Sequence, residues 1–193
     1  FELVFADGGS TDNTTALIQD AGLRVINSAK GRAWQMNAGA GQTTAEVLLF
    51  LHADTRLPKN ALTEIESNLT GNICWGRFDV RIAGAHWMLA VVSSMMNWRS
   101  RLTGIATGDQ AMFMTRNAFQ KIGGFPEQAL MEDIEASRHL RQFSRPACIT
   151  SPVITSGRRW ETRGVWTTIV LMWRLRWAYW RGQSPQKLAE LYA

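Results

Sequence analysis

The sequence predicts a single α/β domain built on a mostly parallel sheet flanked by helices, and two observations lead to this prediction. Short apolar runs alternate with segments of helical character along most of the 193 residues. The run 46–51 is almost continuously apolar, which is typical of a strand buried on both faces of a parallel sheet. Because alternating strands and helices favour layered α/β folds, we expect one domain over residues 1–193.

The first third of the chain contains three expected strands and three expected helices. The strands lie in the runs 1–6, 23–26 and 46–51, and the helices span 13–21, 33–40 and 58–69. The polar turn 7–12 can cap the first helix, and Gly22 ends it. Pro58 starts the third helix, at a position where the missing N–H of proline costs no hydrogen bond.

The rest of the chain continues this alternation and ends in a helix rich in tryptophan and arginine. Strands are expected at 75–82, 111–114 and 147–154, and helices at 85–101, 116–122, 131–143 and 165–181. Tryptophan is favoured where one end of the side chain is apolar and the other is wet. We therefore expect an interface near the C-terminus, with lipid, another chain or an acceptor. The helix 165–181 is apolar on nearly every side, which favours burial in the core over a membrane surface.

Charge and cysteine content narrow the classes of function. The net charge is +5 and the excess is mostly arginine, which suits an anionic small molecule, an anionic membrane surface or nucleic acid. Nucleic acid is disfavoured because the basic residues are not interleaved with a known reading motif. Cys74 and Cys148 form no Cys-x-x-Cys pair, which argues against metal and redox motifs and suits the reducing cytoplasm. No run reaches the about 18–20 apolar residues that span a bilayer, and no signal peptide pattern is visible.

Two aspartates follow expected strands directly. Asp7 comes after the first strand and Asp54 comes after the strand at 46–51. In parallel sheets, ligands bind beyond these carboxyl ends, although each aspartate is explained equally well as a turn residue or a helix cap. A carboxylate in this position suits a hard cation such as Mg²⁺ or Mn²⁺, which substrate phosphates help to hold.

Basic and acidic residues also stand beside helix ends. Arg32 precedes a helix N-terminus, where a phosphate can bind. Arg158 and Arg159 follow the last strand and can clamp a diphosphate leaving group, or form a basic surface loop. Glu132 and Asp133 lie in the first turn of a helix, where the helix dipole alone favours acids. One of the two can instead act as a general base, since they point in different directions from the helix.

The order of these motifs along the chain resembles a known family. The motifs are the run 5–14, the segment 30–32 with Asn37, the run 50–54, and the turn 122–125 with Glu132 and Asp133. Together they resemble the inverting family 2 glycosyltransferases, which have the Rossmann-like GT-A fold, over nearly the whole chain. The segments 76–78, 108–110 and 156–160 resemble a small bacterial subgroup, the arsenosugar biosynthesis glycosyltransferases.

This resemblance implies transfer of a sugar from a nucleoside-diphosphate sugar, UDP-linked above all, to an acceptor hydroxyl with inversion at the anomeric carbon. It makes Asp133 the general base, and it makes Asp54 the ligand of Mn²⁺ or Mg²⁺. On the donor side it places Asp7, Arg32, Asn37, Ala53, Asp54, Arg158 and Arg159. On the acceptor or sugar side it places Asp109, Gln110, Glu132 and Trp160.

The sequence departs from the family pattern at three points. Gly8 stands where a second acid is common, and His52 stands where the metal motif often begins with aspartate; for His52 we favour a packing role. The first strand and first helix of the family precede a run like 1–5, and this chain lacks them. We therefore expect a gap between the strands at 1–6 and 46–51, which a truncated chain would leave open or a partner chain would fill.

The same resemblance divides the chain into three parts. Residues 1–70 form a nucleotide-binding half, residues 71–160 an acceptor and catalytic half, and residues 161–193 a C-terminal helical segment. An alternative is a non-catalytic nucleotide-binding module that is membrane-associated or oligomeric. A third reading, a sugar nucleotidyltransferase, is disfavoured by the pair Glu132 and Asp133. A peripheral membrane contact at the inner face of the membrane and a homodimer are both open.

Overall fold

Helices flank two sheets in the computed structural model, which describes residues 1–192. The strands are β1 Val4–Asp7, β2 Arg24–Asn27, β3 Val47–Leu49, β4 Thr55–Arg56, β5 Trp75–Ala83, β6 Phe113–Thr115 and β7 Ala147–Ser156. The helices are α1 Thr14–Asp20, α2 Arg32–Gly41, α3 Ala61–Asn68, α4 Met88–Thr103, α5 Arg116–Lys121, α6 Glu132–Leu140, α7 Arg158–Arg163, α8 Val165–Trp180 and α9 Pro185–Tyr192. This arrangement confirms the predicted α/β class. Ala193, the last residue of the predicted C-terminal segment, lies outside the described residues.

The strand directions are more mixed than the sequence suggested. The larger sheet has the order β3-β6-β5-β7-β4. Its only neighbouring strands that run parallel are β5 and β7, and the other neighbours are antiparallel. The smaller sheet pairs β1 with β2 in parallel. Apolar runs identify strands but not their neighbours, and strand direction depends on which strands become neighbours. β4 was not anticipated because its two residues are too short for any periodic pattern.

The two sheets are not hydrogen-bonded to each other within residues 1–192, so β1 and β3 lie in separate sheets. The sequence predicted a gap between these two strands, and its supposed cause, the absence of a preceding strand, stays a prediction. Helix α2 is bonded to the smaller sheet, because the Gln35 side chain donates a hydrogen bond of 2.8 Å to the Ala6 carbonyl of β1. At its other end Glu2 accepts two hydrogen bonds from Thr44.

The core lies on both faces of the larger sheet around β5. One cluster packs Phe78 against Phe113, with their ring centroids 5.6 Å apart, and burial of each such ring stabilises the fold by about 1.5–3 kcal/mol. A second cluster joins Trp75 to residues of α2, α5 and α6. A Cβ on Gly76 would lie 2.4 Å from the Phe113 ring and 2.6 Å from the Ala147 carbonyl. The close approach of β5 to both neighbouring strands therefore requires glycine at this position.

Helix α8 has the expected range but not the expected environment. Val165, Thr168 and Leu175 are its buried residues, and Leu175 packs with residues of α6 and α9. Five large apolar side chains of α8 are 55–71% exposed: Trp166, Val170, Trp173, Trp177 and Trp180. The prediction of a core helix is therefore wrong, because its neighbours cover only one side of it. No helix in the described part of the chain is both long and apolar enough to cross a membrane.

Candidate active site

Asp133 occupies the buried first turn of α6. Met131 adopts a left-handed conformation with φ of 69° and directs the chain into the helix. One carboxylate oxygen of Asp133 accepts a hydrogen bond of 2.9 Å from the Gly108 N–H, and the other accepts one of 2.7 Å from the Ile134 N–H. The side chain is thus fixed between α6 and the short 3₁₀ turn Gly108–Gln110, and the helix N-terminus favours its negative charge.

A small cavity lies beside this carboxylate. Its volume is about 10 Å³, and it is lined by Asp133, His52, Gly108, Met36, Phe50, Met112 and Phe125. This space holds about one water molecule, so a sugar or an acceptor does not fit inside it. Substrates that reach Asp133 must therefore lie over the mouth of the cavity, where its walls are mostly apolar.

Glu132 forms an ion pair with Arg32 next to the base. The Glu132 carboxylate lies 2.8 Å from the Arg32 Nε, and the two side chains are 2% and 38% exposed. Burial, and then the negative charge of Asp133, raise the pKa of Glu132 to about 7, against the opposing effect of Arg32. One oxygen of Glu132 is buried without a hydrogen-bond partner among residues 1–192. With a pKa of about 7, Glu132 is partly protonated near neutral pH.

His52 and Asp109 form a second pair, with 3.5 Å between Nδ1 and the nearer carboxylate oxygen. Burial opposes the charge of His52, but the hydrogen bond and charge of Asp109 outweigh it and raise the pKa of the imidazole. Burial also opposes the charge of Asp109, but His52, Arg32 and Arg159 lower the pKa of this carboxyl. A Cβ on Gly108 would lie 2.6 Å from the imidazole. His52 therefore packs tightly, as expected, and its contact with Asp109 favours the protonated ring.

Arg159 completes a charged cluster on this side of the protein. Its guanidinium lies 3.7 Å from the centroid of the Tyr192 ring, and it donates to the Tyr192 carbonyl at 3.4 Å. Its Nη1 is buried and has no hydrogen-bond partner in the described part of the chain. We use the name charged cluster for Arg32, His52, Asp109, Glu132, Asp133 and Arg159. The structure thus gathers five of the residues predicted to form the site and adds His52.

Other predicted residues make internal contacts. Asn37 exchanges two hydrogen bonds with the Phe125 backbone, at 2.8 and 2.9 Å, and so joins α2 to the turn before α6. The Gln110 side chain is fully buried and bonds to Thr107 and Asn97. Trp160 is half-buried and packs against the cluster of apolar residues at the start of α4 and α8.

The predicted residues near the strand ends are more open to solvent, and Asp7 is the half-buried last residue of β1. Asp7 accepts hydrogen bonds from the Gly9 and Ser10 amides at 2.9 Å and from the Ser10 hydroxyl, which together lower the pKa of Asp7, the hydroxyl most strongly. Ala53 and Asp54 are exposed before β4. Asp54 receives only a long hydrogen bond of 3.4 Å from Thr55, so its carboxylate has room for another partner. Arg158 is exposed at the start of α7.

The metal expectation rests on Asp54 alone. Over residues 1–192 there is no group of three or more His, Cys, Asp or Glu side chains that could hold a metal ion. A Mg²⁺ ion that bridges substrate phosphates needs only one or two protein carboxylates, and the exposed, weakly bonded Asp54 fits that requirement.

Sequence reasoning missed two features of the site. The pairing of His52 with Asp109 joins residues far apart in sequence, and no local pattern connects them. The Gly108 amide that holds Asp133 belongs to the backbone, which side-chain motifs do not describe. The family resemblance of the segment 108–110 is the one sequence signal that points to this part of the site.

Comparison with known proteins agrees with this architecture. Residues 1–123 match the model of the family Glycosyl transferase family 2. The chain is 25% identical over 228 aligned residues to the beta-monoglucosyldiacylglycerol synthase of Synechocystis sp., with 97% of this chain and 44% of that protein covered. The chain therefore spans about half the length of the relatives that it matches, and the subgroup and the missing first strand stay predictions.

Two solved structures share the fold. The S. aureus TarS fragment 1-349 superposes with a TM-score of 0.63 at 16% identity, covering 81% of this chain and 51% of that one. The Pyrobaculum calidifontis mannosyltransferase PcManGT, in complex with GDP-Man and Mn²⁺, superposes with a TM-score of 0.61 at 19% identity, covering 92% and 51%. These likenesses confirm the predicted GT-A fold.

Proposed function

This chain belongs to glycosyl transferase family 2, and from that premise we propose that it transfers a sugar from a nucleoside-diphosphate sugar to an acceptor hydroxyl with inversion. The observation that carries the proposal is the buried carboxylate of Asp133, held by the Gly108 amide at 2.9 Å beside an apolar cavity. A single displacement needs one base on the acceptor side and positive charge on the donor side, and the charged cluster contains both.

In the proposed reaction the acceptor oxygen attacks the anomeric carbon while the bond from that carbon to the diphosphate breaks. The hydroxyl proton passes to Asp133, whose carboxylate is oriented by two backbone N–H groups. A positioned base of this kind contributes about 10²–10⁴-fold to the rate. The Arg32 guanidinium pairs with Glu132 and so compensates negative charge next to an ionised Asp133.

Positive groups of the cluster suit the departing diphosphate. Arg32 and Arg159 present guanidinium groups that stabilise charge growing on the leaving group. The donor side would also include Asp7, Asn37, Ala53 and Arg158, and the acceptor or sugar side would include Asp109, Gln110 and Trp160. Asp54 would hold Mn²⁺ or Mg²⁺, which when bound neutralises part of the diphosphate charge. The Mn²⁺ and GDP-Man bound in the Pyrobaculum structure support this assignment. Among the nucleotides we favour UDP.

The test of this proposal is donor binding followed by thermal unfolding. UDP, GDP or TDP with Mn²⁺ should raise the melting temperature, because a ligand that binds only the folded state stabilises it. Asp54→Ala should remove the increase that depends on Mn²⁺, whereas Asp20→Ala, at an exposed carboxylate of α1, should retain it. If none of the three nucleotides shifts the melting temperature, the proposal is wrong.

A non-catalytic nucleotide-binding module is the second candidate. It is favoured by the separation of β1 and β2 from the larger sheet, which leaves the first strand without a partner on one side within the described residues. Such a module would bind a nucleotide and yet release no sugar from a donor under any condition. Donor hydrolysis by the wild-type chain, lost in Asp133→Asn, would exclude it. Sedimentation velocity would test the homodimer, and cell fractionation the cytoplasmic location.

A further inference from the structure

Two helices carry exposed apolar stripes. The α4 stripe consists of Trp87, Val91, Met95, Trp98 and Leu102, and the α8 stripe consists of Trp166, Val170, Trp173, Trp177 and Trp180. Successive members are three or four residues apart, which places each stripe on one face of its helix. All ten side chains are at least 38% exposed. Apolar surface concentrated in this way marks an interaction site.

The composition of the stripes favours a bilayer surface. Six of the ten residues are tryptophan, a side chain that is enriched at membrane interfaces because its ring is apolar and its N–H is polar. Arginines lie beside the α8 stripe on the helix, including the exposed Arg174. Apolar stripes beside basic residues are typical of helices that lie in the interface of anionic membranes.

A cleft connects the two helices. Its volume is about 480 Å³, and it is lined by Arg99 of α4 and by Trp173, Arg174, Arg176 and Trp177 of α8. Arg99 follows Met95 by four residues and precedes Leu102 by three, so the cleft adjoins the α4 stripe. The Arg181 guanidinium lies 5.2 Å from the centroid of the Trp177 ring and adds a further positive charge close by. The cleft therefore brings three arginines and two tryptophans together.

Arg99 lacks the partners that a buried guanidinium requires. Its Nε and Nη2 are buried, and neither has a hydrogen-bond partner within the part of the chain that the structure describes. Burial lowers the pKa of Arg99, and the charge of Arg77 acts in the same direction, against the opposing charge of Asp133. Unsatisfied buried donors are costly, and a phosphate offers the oxygen acceptors that the planar fork of arginine fits best.

We propose that this cleft binds the phosphate group of an anionic lipid, while the α4 and α8 stripes enter the interface of the same bilayer. A volume of about 480 Å³ matches the size of small-molecule pockets. A second copy of this chain fits less well, because a symmetric contact would bring the two arginine groups together.

This binding is independent of the proposed sugar transfer. A chain that binds vesicles without turning over a donor would therefore overturn the proposed function and leave this inference intact. A chain that turns over a donor without binding vesicles would overturn this inference and leave the proposed function intact.

The first experiment is co-sedimentation of the chain with vesicles of phosphatidylcholine alone or mixed with phosphatidylglycerol. The wild type should bind the mixed vesicles more tightly. Arg174→Gln with Arg176→Gln should weaken that binding about 30-fold, on the scale known for two basic residues at an anionic surface. The matched control is Arg56→Gln with Arg145→Gln, which removes the same charge from exposed sites outside the cleft and should weaken binding less than about threefold.

The second experiment removes the apolar part of the surface. Trp173→Ala with Trp177→Ala should abolish sedimentation with either kind of vesicle, whereas Leu17→Ala with Leu62→Ala, at exposed positions of α1 and α3, should not change it. Circular dichroism confirms that each variant is folded. Equal losses in the two arginine double variants would overturn the inference, as would binding of inorganic phosphate without vesicle binding. A dimer that does not bind vesicles would show that the stripes form a self-interface.

Discussion

Arginine is used in opposite ways in two regions of this protein. In the charged cluster the Arg32 guanidinium lies 2.8 Å from the buried Glu132 carboxylate. In the cleft between α4 and α8, Arg99 has two buried nitrogens that find no partner anywhere in residues 1–192. The first region pairs its arginine with a carboxylate of the fold, although one oxygen of Glu132 and one nitrogen of Arg159 stay buried without a partner among the described residues. In the second region the Arg99 charge has no such partner, and an anion in the cleft would offset part of the cost of burying it.

The largest effect that we expect is on catalysis in the charged cluster. Asp133→Asn should lower donor turnover by about 10²–10⁴-fold, because the amide cannot accept the acceptor proton. The increase in melting temperature with nucleotide and Mn²⁺ should persist, which separates chemistry from binding. Asp20→Asn on α1 serves as the control and should turn over the donor at the wild-type rate. Unchanged turnover in Asp133→Asn would remove this carboxylate from the reaction.

The second effect is a pH dependence from Glu132, whose pKa is raised from 4.5 to about 7 in the folded protein. The folded state holds this proton more tightly than the unfolded state, so the stabilisation is full below the unfolded pKa and is lost as pH rises through the folded pKa. The unfolding free energy should fall by about 2–3 kcal/mol between about pH 4.5 and 7.5. Urea unfolding across this range measures it.

Glu132→Gln provides the control for that measurement. A neutral amide of the same shape keeps a contact to Arg32 and has no proton to release, so most of the slope should vanish. His52 contributes with the same sign, because its pKa is also raised, and a residual slope near pH 6.5 is expected. A slope as steep in Glu132→Gln as in the wild type would show that another group titrates.

The third effect is on the free energy of unfolding, and it concerns the paired Arg32 of the charged cluster. Arg32→Gln leaves Glu132 buried and unpaired, and should lower the unfolding free energy by about 1–3 kcal/mol, less than for a fully buried pair because Arg32 is 38% exposed. Arg32→Gln combined with Glu132→Gln should recover most of that loss. Denaturation by urea at neutral pH measures both variants. A larger loss in the double variant would show that the ion pair is not the cause.

The smallest effect has the opposite sign and belongs to the cleft. Arg99→Met removes a buried charge that has unsatisfied donors, so the unfolding free energy should rise by about 1 kcal/mol while binding to anionic vesicles falls. The same urea measurement applies, with Arg145→Met as the exposed control. A loss of stability in Arg99→Met would mean that this guanidinium supports the fold and is not held in readiness for a ligand.

The sequence predicts the order of elements well, because apolar runs and turn residues are local signals. It also identifies Arg32, Glu132 and Asp133 from motifs beside helix ends. The tryptophan content predicted an interface near the C-terminus, but which side of α8 is exposed was not predictable, since a helix apolar on nearly every side is buried only where neighbours cover it. In this fold α6 and α9 cover one side of α8. The pairing of His52 with Asp109 depends on how the 3₁₀ turn meets β3 and β4, which no local pattern encodes.

Gly108 gives the site one further property. Its amide holds Asp133 at 2.9 Å, and its α-carbon leaves no room for a side chain beside His52. The one residue Gly108 therefore contacts both the candidate base and the imidazole of His52. Any side chain introduced at Gly108 would therefore disturb His52 and the candidate base at the same time.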